Sequence, residues 1–225
     1  MKKLMHTLRP DLSSEQLDAF DIYYRMLTDW NTRINLTAIT EKEEVATKHF
    51  VDSLAAADLI PRGASCIDVG TGAGFPGIPL LILRPDIRLT LLDSLNKRLL
   101  FLEALLKETG LHAQIVHARA EDGGRDPKHR GMYDITLSRA VSALPILLEL
   151  TTPFLKVGGT AIAYKGNSTQ EMEDARRAAG LLQVTLSAKE TAADWGIRTL
   201  VLAKKAAPTP KAYPRKAGTP AKSPL

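Results

Sequence analysis

The sequence predicts an α/β fold: a mostly parallel sheet covered by helices on both faces, with a helical cap before it. Three observations carry this. An apolar run ending at Val69 passes into the glycine-rich turn Gly70-Thr71-Gly72-Ala73-Gly74-Phe75-Pro76-Gly77. Pro76 sits where a helix can begin, and the glycines allow a tight turn with close approach of another group. From Ala64 onward, short apolar runs alternate with helix-length amphipathic segments, the pattern of a sheet with helical crossovers. The last two apolar runs, around 183–186 and 198–203, have no clear helix between them and read as a terminal antiparallel hairpin.

The elements follow in order. Ser13 and Gln16 form a capping box ahead of Leu17, Phe20, Tyr24, Leu27 and Ile34, which recur at helical spacing. Thr40 with Glu43 suggests a second box, opening a helix that carries Val45, His49 and Leu54 and ends before Pro61-Arg62-Gly63. Next come a strand to Val69, a helix from Gly77, a strand over 88–92, a helix over 95–108 and a strand over 113–116. The polar, glycine-containing stretch 121–131 reads as a surface loop. Beyond it lie a strand over 133–137, a helix over 143–155, a strand over 160–164 and a helix over 169–179. Three segments are expected: a cap over 1–62, a sheet domain over 63–204 and a basic, proline-rich terminus over 205–225.

Composition narrows the class. A chain of 225 residues with 44% hydrophobic content can bury a substantial core. Its one cysteine, Cys66, lies in the first strand, which excludes a disulfide framework and favours a reducing cytoplasm. The basic start Met1-Lys2-Lys3 has no apolar stretch behind it, so no signal peptide or membrane span is expected. The five histidines and single cysteine show no metal-ligand spacing, and no metal is expected. Net charge is +5, but residues 204–225 hold six cations and no acid. With five prolines among them, these residues read on composition as a disordered basic tail.

The glycine turn implies a nucleoside-bearing cofactor. Asp93 closes the next apolar run, where an acid can accept hydrogen bonds from a ribose diol. Gly72, Gly74 and Gly77 also satisfy the spacing of dinucleotide enzymes, so an NAD-type oxidoreductase stays open on spacing alone. Asp68 weighs the other way. A pyrophosphate needs a helix N-terminus cleared of negative charge, whereas a nearby carboxylate suits the ammonium and sulfonium end of S-adenosylmethionine.

A resemblance then gathers the motifs. Asn35-Leu36-Thr37-Ala38, His49-Phe50-Val51-Asp52-Ser53, the glycine turn through Pro79, and Leu92-Asp93-Ser94-Leu95-Asn96-Lys97-Arg98 lead the set. Ala118-Arg119-Ala120-Glu121, Ser138-Arg139-Ala140-Val141, Tyr164-Lys165-Gly166 and Tyr213-Pro214-Arg215-Lys216 complete it. In this order they resemble the RsmG family, also called glucose-inhibited division protein B. The resemblance implies a Rossmann-like class I S-adenosylmethionine-dependent methyltransferase that modifies guanine N7 in 16S ribosomal RNA of the small subunit. It also implies that Gly70, Phe75, Ala120, Glu121 and Arg139 contact the cofactor, and that part of the terminus contacts RNA.

Residues that follow strand ends complete the expected cofactor set, adding Asp68, Gly72, Gly74, Asp93 and Ser94. Lys165, Arg215, Lys216 and Lys222 are the expected RNA contacts, and the enzyme is expected to be monomeric. Plain alternatives stand beside several assignments: Glu121 as a solvated loop acid, Arg139 paired with Asp134 or Asp68, and His49 with Asp52 either lining the cleft or holding structure. No cysteine nucleophile follows the strands, and no Asn/Asp-Pro-Pro-aromatic motif follows the fourth, which disfavours pyrimidine C5 and exocyclic amine chemistry. Methylation of a purine ring nitrogen needs positioning and no general base. A non-catalytic RNA-binding assembly factor that kept a nucleoside pocket is the alternative from another class.

Overall fold

A computed structural model describes residues 1–191, 196 and 198–225. Helices α1 (Lys2–Leu8) and α2 (Ser14–Asn31) come first. The capping box forms as the sequence predicts: Ser13 Oγ accepts from the Gln16 amide and Gln16 Oε1 accepts from the Ser13 amide. The inward face of α2 is centred on Phe20, Tyr23 and Leu27, with Tyr23 fully buried where the periodicity had placed Tyr24. Next, α3 (Lys42–Glu44), a π-helical stretch Val45–Val51 and α4 (Asp52–Leu54) run on without a break. The expected Thr40 box is absent: Glu41 occupies the N-cap and no side chain caps it.

The sheet contains β1 (Ser65–Val69), β2 (Arg88–Asp93), β3 (Gln114–His117), β4 (Tyr133–Arg139), β5 (Leu155–Lys165), β6 (Val184–Thr191) and β7 (Arg198–Lys205). Their spatial order is β3-β2-β1-β4-β5-β7-β6, with β7 antiparallel to both neighbours. Between them lie α5 (Gly77–Leu83), α6 (Asn96–Thr109), α7 (Ala120–Gly123), α8 (Leu144–Thr151), α9 (Thr169–Asp174) and α10 (Arg176–Leu182). The short helix α7 occupies part of the expected loop. Helix α8 stops before Pro153, which lacks the amide a continuing helix needs, and β5 therefore starts at Leu155 instead of Thr160.

One face of the sheet and the N-terminal helices share a single core, in which Met5, Phe20, Tyr23 and Phe50 pack with Leu80, Leu91 and Leu102. The helical cap is thus continuous with the sheet domain in its packing. On the other face, α8 and α10 bury Leu144, Leu147, Leu148 and Leu182 against Val201 and Ala203.

The terminus departs from its composition. Lys205 is 4% exposed, and its ammonium donates to the carbonyls of Thr152 and Leu155. Burial lowers its pKa to about 8. Beyond it, Arg130 donates to the carbonyls of Thr209 and Tyr213, and Arg125 to that of Pro214. The chain ends in α11 (Thr219–Lys222). Prolines bar this segment from a ladder, but its free carbonyls accept from arginines of the body, and so it docks as an extended strap.

Candidate active site

Open α/β sheets place ligands beyond the carboxyl ends of their strands, and here two clefts lie there. The first, about 340 Å³, is lined by Val69, Gly70, Leu92, Asp93, Ser94, Ala118 to Glu121, Ala140 to Ser142 and part of the terminus. The second, about 380 Å³, is lined by Ile39, Lys48, His49, Asp52, Arg139, Ala140, Tyr164, Lys165, Gly166 and Arg198. Ala140 belongs to both, so the clefts meet there. Its φ of +56° is unusual for a residue with a side chain, and this turn swings the chain between the two hollows as β4 ends. A larger, open hollow of about 1150 Å³ lies at the opposite end of the sheet, where β1, β2 and β4 begin, away from this turn.

The glycine turn is built from inside. Asp68 has no exposed surface; its Oδ2 accepts from Thr71 Oγ1 at 2.8 Å and from the Gly77 amide at 2.9 Å, while Oδ1 is buried without a partner. Burial raises its pKa to about 6, with the two hydrogen bonds opposing the shift. Asp93, 3% exposed, accepts from the Gly72 amide at 2.9 Å and the Leu95 amide at 2.8 Å, and Arg98 lies 3.4 Å away. Two carboxylates thus hold the amides at Gly72 and at the start of α5. A pyrophosphate would meet these amides already engaged and a buried carboxylate behind them, which weighs against a dinucleotide. The cleft instead combines apolar walls (Val69, Leu92, Ala118, Ala120) with two carboxylates, Asp93 and Glu121, that carry unused lone pairs, a lining that fits the apolar base and hydroxyl donors of an adenosyl group.

The glycines divide by role. A Cβ on Gly72 would meet nothing nearer than 4.0 Å, so this residue, at φ +60°, faces open space. On Gly74 a Cβ would come within 2.9 Å of Leu102, Ile78 and the Tyr23 hydroxyl. That hydroxyl donates to the Ala73 carbonyl at 2.5 Å, so Gly74 makes room for the cap helix against the turn.

Phe75 and Arg139, assigned to the cofactor by resemblance, sit on the side of the second cleft. Phe75 is 7% exposed and stacked between Tyr23 and His49, with the Arg139 guanidinium 4.9 Å from its ring centre. Arg139 pairs with neither Asp134 nor Asp68; its partner is Asp52, at 3.0 Å, and Arg198 binds the other oxygen of that carboxylate at 3.0 Å. Asp134 is engaged by Lys156. His49 lies within this cluster, with Nε2 2.8 Å from Thr37 Oγ1. Burial, with Arg139 beside it, lowers the His49 pKa to about 4, so the ring is neutral near pH 7. Both His49 and Asp52 therefore line a cleft and bind structure together.

Gly70, Ala120, Glu121, Asp93 and Ser94 line the first cleft, whereas Asp68, Gly72 and Gly74 shape the turn beside it. Of the cations expected to face RNA, Lys216 and Lys222 are exposed. Lys165 is held by Glu171 at 2.7 Å and by the Ser142 carbonyl, and Arg215 closes on Glu149. Sequence reasoning missed Arg198 and Glu149. An acid within the apolar helix Leu144–Thr151 was the available signal for Glu149; Arg198 gave none. Among the described residues, no group of histidine, cysteine or acidic side chains is placed to hold a metal ion.

The strand order with its antiparallel β7, together with a cleft beside the glycine turn at the carboxyl ends of the strands, defines a class I, Rossmann-like S-adenosylmethionine-dependent methyltransferase. Solved structures agree on the fold: the chain superimposes on a methyltransferase from Pyrococcus furiosus with a TM-score of 0.59 at 12% identity, covering 84% of this chain and 98% of that one. M. jannaschii TYW2 in complex with AdoMet gives 0.58 at 15% identity, covering 76% and 78%. The family is shown by sequence. Residues 16–197 match the family model of rRNA small subunit methyltransferase G, and the chain belongs to that family. Among its relatives named ribosomal RNA small subunit methyltransferase G, that of Desulfitobacterium hafniense is 48% identical, covering 97% of this chain and 93% of the relative. That of Acetivibrio thermocellus is 45% identical, covering 96% and 91%.

Proposed function

We propose that this protein transfers a methyl group from S-adenosylmethionine to N7 of a guanine in 16S ribosomal RNA, acting as a monomer in the cytoplasm. The observation that carries the reading is the meeting of the two clefts at Ala140, one suited to a nucleoside and the other rimmed by Lys48, Arg139, Lys165 and Arg198. When bound, S-adenosylmethionine supplies an electrophilic methyl group. In the first cleft, Asp93 would accept from the ribose hydroxyls, and Leu92, Ala118 and Ala120 would enclose the adenine. In the second cleft, the Arg139–Asp52–Arg198 cluster holds the cationic rim rigid, and the neutral His49 stacks on Phe75 at its base. Guanine N7 carries its lone pair in the ring plane and has no proton to lose, so the chain supplies orientation and exclusion of water and no base. The cationic rim attracts the RNA backbone, while Lys216 and Lys222 extend that field along the terminus.

The family, the fold and the absence of any membrane-crossing helix among the described residues accord with this reading. Incubation of the purified protein with S-adenosylmethionine and small subunits lacking the modification, followed by mass spectrometry of the RNA, is the test. One new 7-methylguanine in 16S RNA is expected. Methyl on another atom, or no transfer to either subunits or naked RNA, would overturn the assignment.

A further inference from the structure

We infer that the C-terminal strap is a wall of the cofactor cleft, with Pro220 and Ala221 enclosing the adenosyl group and Glu121 acting as the residue that positions them. The inference rests on the reading of this cleft as the S-adenosylmethionine site. Gly218, Pro220 and Ala221 line the cleft together with Ala118 to Glu121. Pro220 is buried against the body, whereas Ala221 is exposed to the cleft and solvent. Glu121 is 7% exposed, and its Oε1 accepts from the Gly218 amide at 2.8 Å. The carboxylate expected to meet adenine is therefore engaged by the strap. A second anchor lies on α8, whose residues Ile146 and Leu150 also line the cleft: Glu149, between them, binds Arg215.

A ligand that touches both the body and the strap binds fully only when the strap is docked, so it must stabilise docking by the same factor that docking strengthens its own binding. Basic residues on the strap are then consistent with two faces, one lining the cleft through Pro220 and Ala221 and one carrying exposed Lys211, Lys216 and Lys222.

The test uses the full chain, with S-adenosylhomocysteine as the probe in calorimetry. Ala221→Trp, at an exposed position, is expected to leave the melting temperature of the ligand-free protein unchanged while weakening binding at least tenfold. Ser223→Trp, exposed and outside the cleft lining, is expected to bind the probe like wild type. Glu121→Ala is expected to weaken binding and to speed tryptic cleavage after Lys216 without ligand. Glu121→Gln, which keeps an acceptor oxygen for the Gly218 amide, should restore both, and the probe should slow cleavage of wild type. Undiminished binding by Ala221→Trp, or strap cleavage indifferent to both Glu121→Ala and the probe, overturns the wall alone. Failure of the wild type to bind overturns the cofactor reading, and the wall with it.

Discussion

The Arg215 guanidinium closes on the Glu149 carboxylate, with Nε 2.9 Å from Oε1 and Nη2 2.6 Å from Oε2, and the Arg215 amide donates to Oε1 at 2.7 Å. Glu149 is wholly buried, while the arginine retains some contact with solvent. The two ends of the pair are therefore unequal. Arg215→Ala leaves a buried carboxylate with only a backbone donor and is expected to cost about 3 kcal/mol in urea denaturation. Adding Glu149→Leu in the same chain should recover most of that loss, since the uncompensated charge is gone. A double variant no more stable than Arg215→Ala would show that the strap is held by its other contacts.

Gly72 and Gly74 should separate binding from stability. Gly74→Ala forces a methyl into contact with Tyr23, Ile78 and Leu102 at a φ of +99°, so a loss of about 2 to 4 kcal/mol is expected from overpacking and strain together. Gly72→Ala meets open space and should cost only about 1 kcal/mol for its left-handed backbone. Because Gly72 abuts Asp93 at the cleft, the larger Gly72→Val is expected to lose cofactor affinity in a folded protein. Thermal melts and calorimetry on the three variants read this directly, and equal destabilisation at the two glycines would contradict it.

Asp93→Ala is expected to impair both binding and stability. Its carboxylate satisfies the Gly72 and Leu95 amides, so truncation leaves two donors in the turn without partners, each costing about 1 to 3 kcal/mol where water cannot reach. Loss of the ribose contact should raise the cofactor dissociation constant about tenfold to a hundredfold. A variant with wild-type stability but weakened binding would show that water replaces the carboxylate at those amides.

The buried acid and the buried histidine give opposing pH dependences. The Asp68 pKa rises from 3.8 to about 6 on folding, so its contribution to stability is lost as pH rises across that window. The His49 pKa falls from 6.5 to about 4, so its contribution is present above 6.5 and lost as pH falls toward 4. Relative to wild type, Asp68→Asn should gain stability between pH 4 and 7, and His49→Gln should gain it between pH 7 and 4. Each change is about 3 kcal/mol at most. Denaturation curves at several pH values would refute the assignment if both variants tracked the wild type in parallel.

Local chemistry made much of this protein legible. The capping box at Ser13, the strand–turn–helix at Gly70 to Gly77 and the acid at the end of β2 are each written within a few consecutive residues, and each forms as read. The mostly parallel sheet and the end of it at which a cleft opens follow from that alternation, because parallel strands need crossover helices and leave their carboxyl ends open, whereas the order of the strands is a property of the fold. Tertiary structure alone decided which charge meets which. Arg215 lies 66 positions from Glu149, and Tyr23 lies 50 from the carbonyl it binds beside Gly74. Composition marked residues 205–225 as a solvated basic tail because net charge records how many cations there are. Burial of Lys205 under two carbonyls, the carboxylate of Glu149 waiting for Arg215, and arginines of the body reaching for strap carbonyls are properties of the folded surface. Partners brought together across the chain by packing leave no periodic trace in it, so the sequence determined the scaffold and the place of the cleft, and the tertiary structure decided what encloses it.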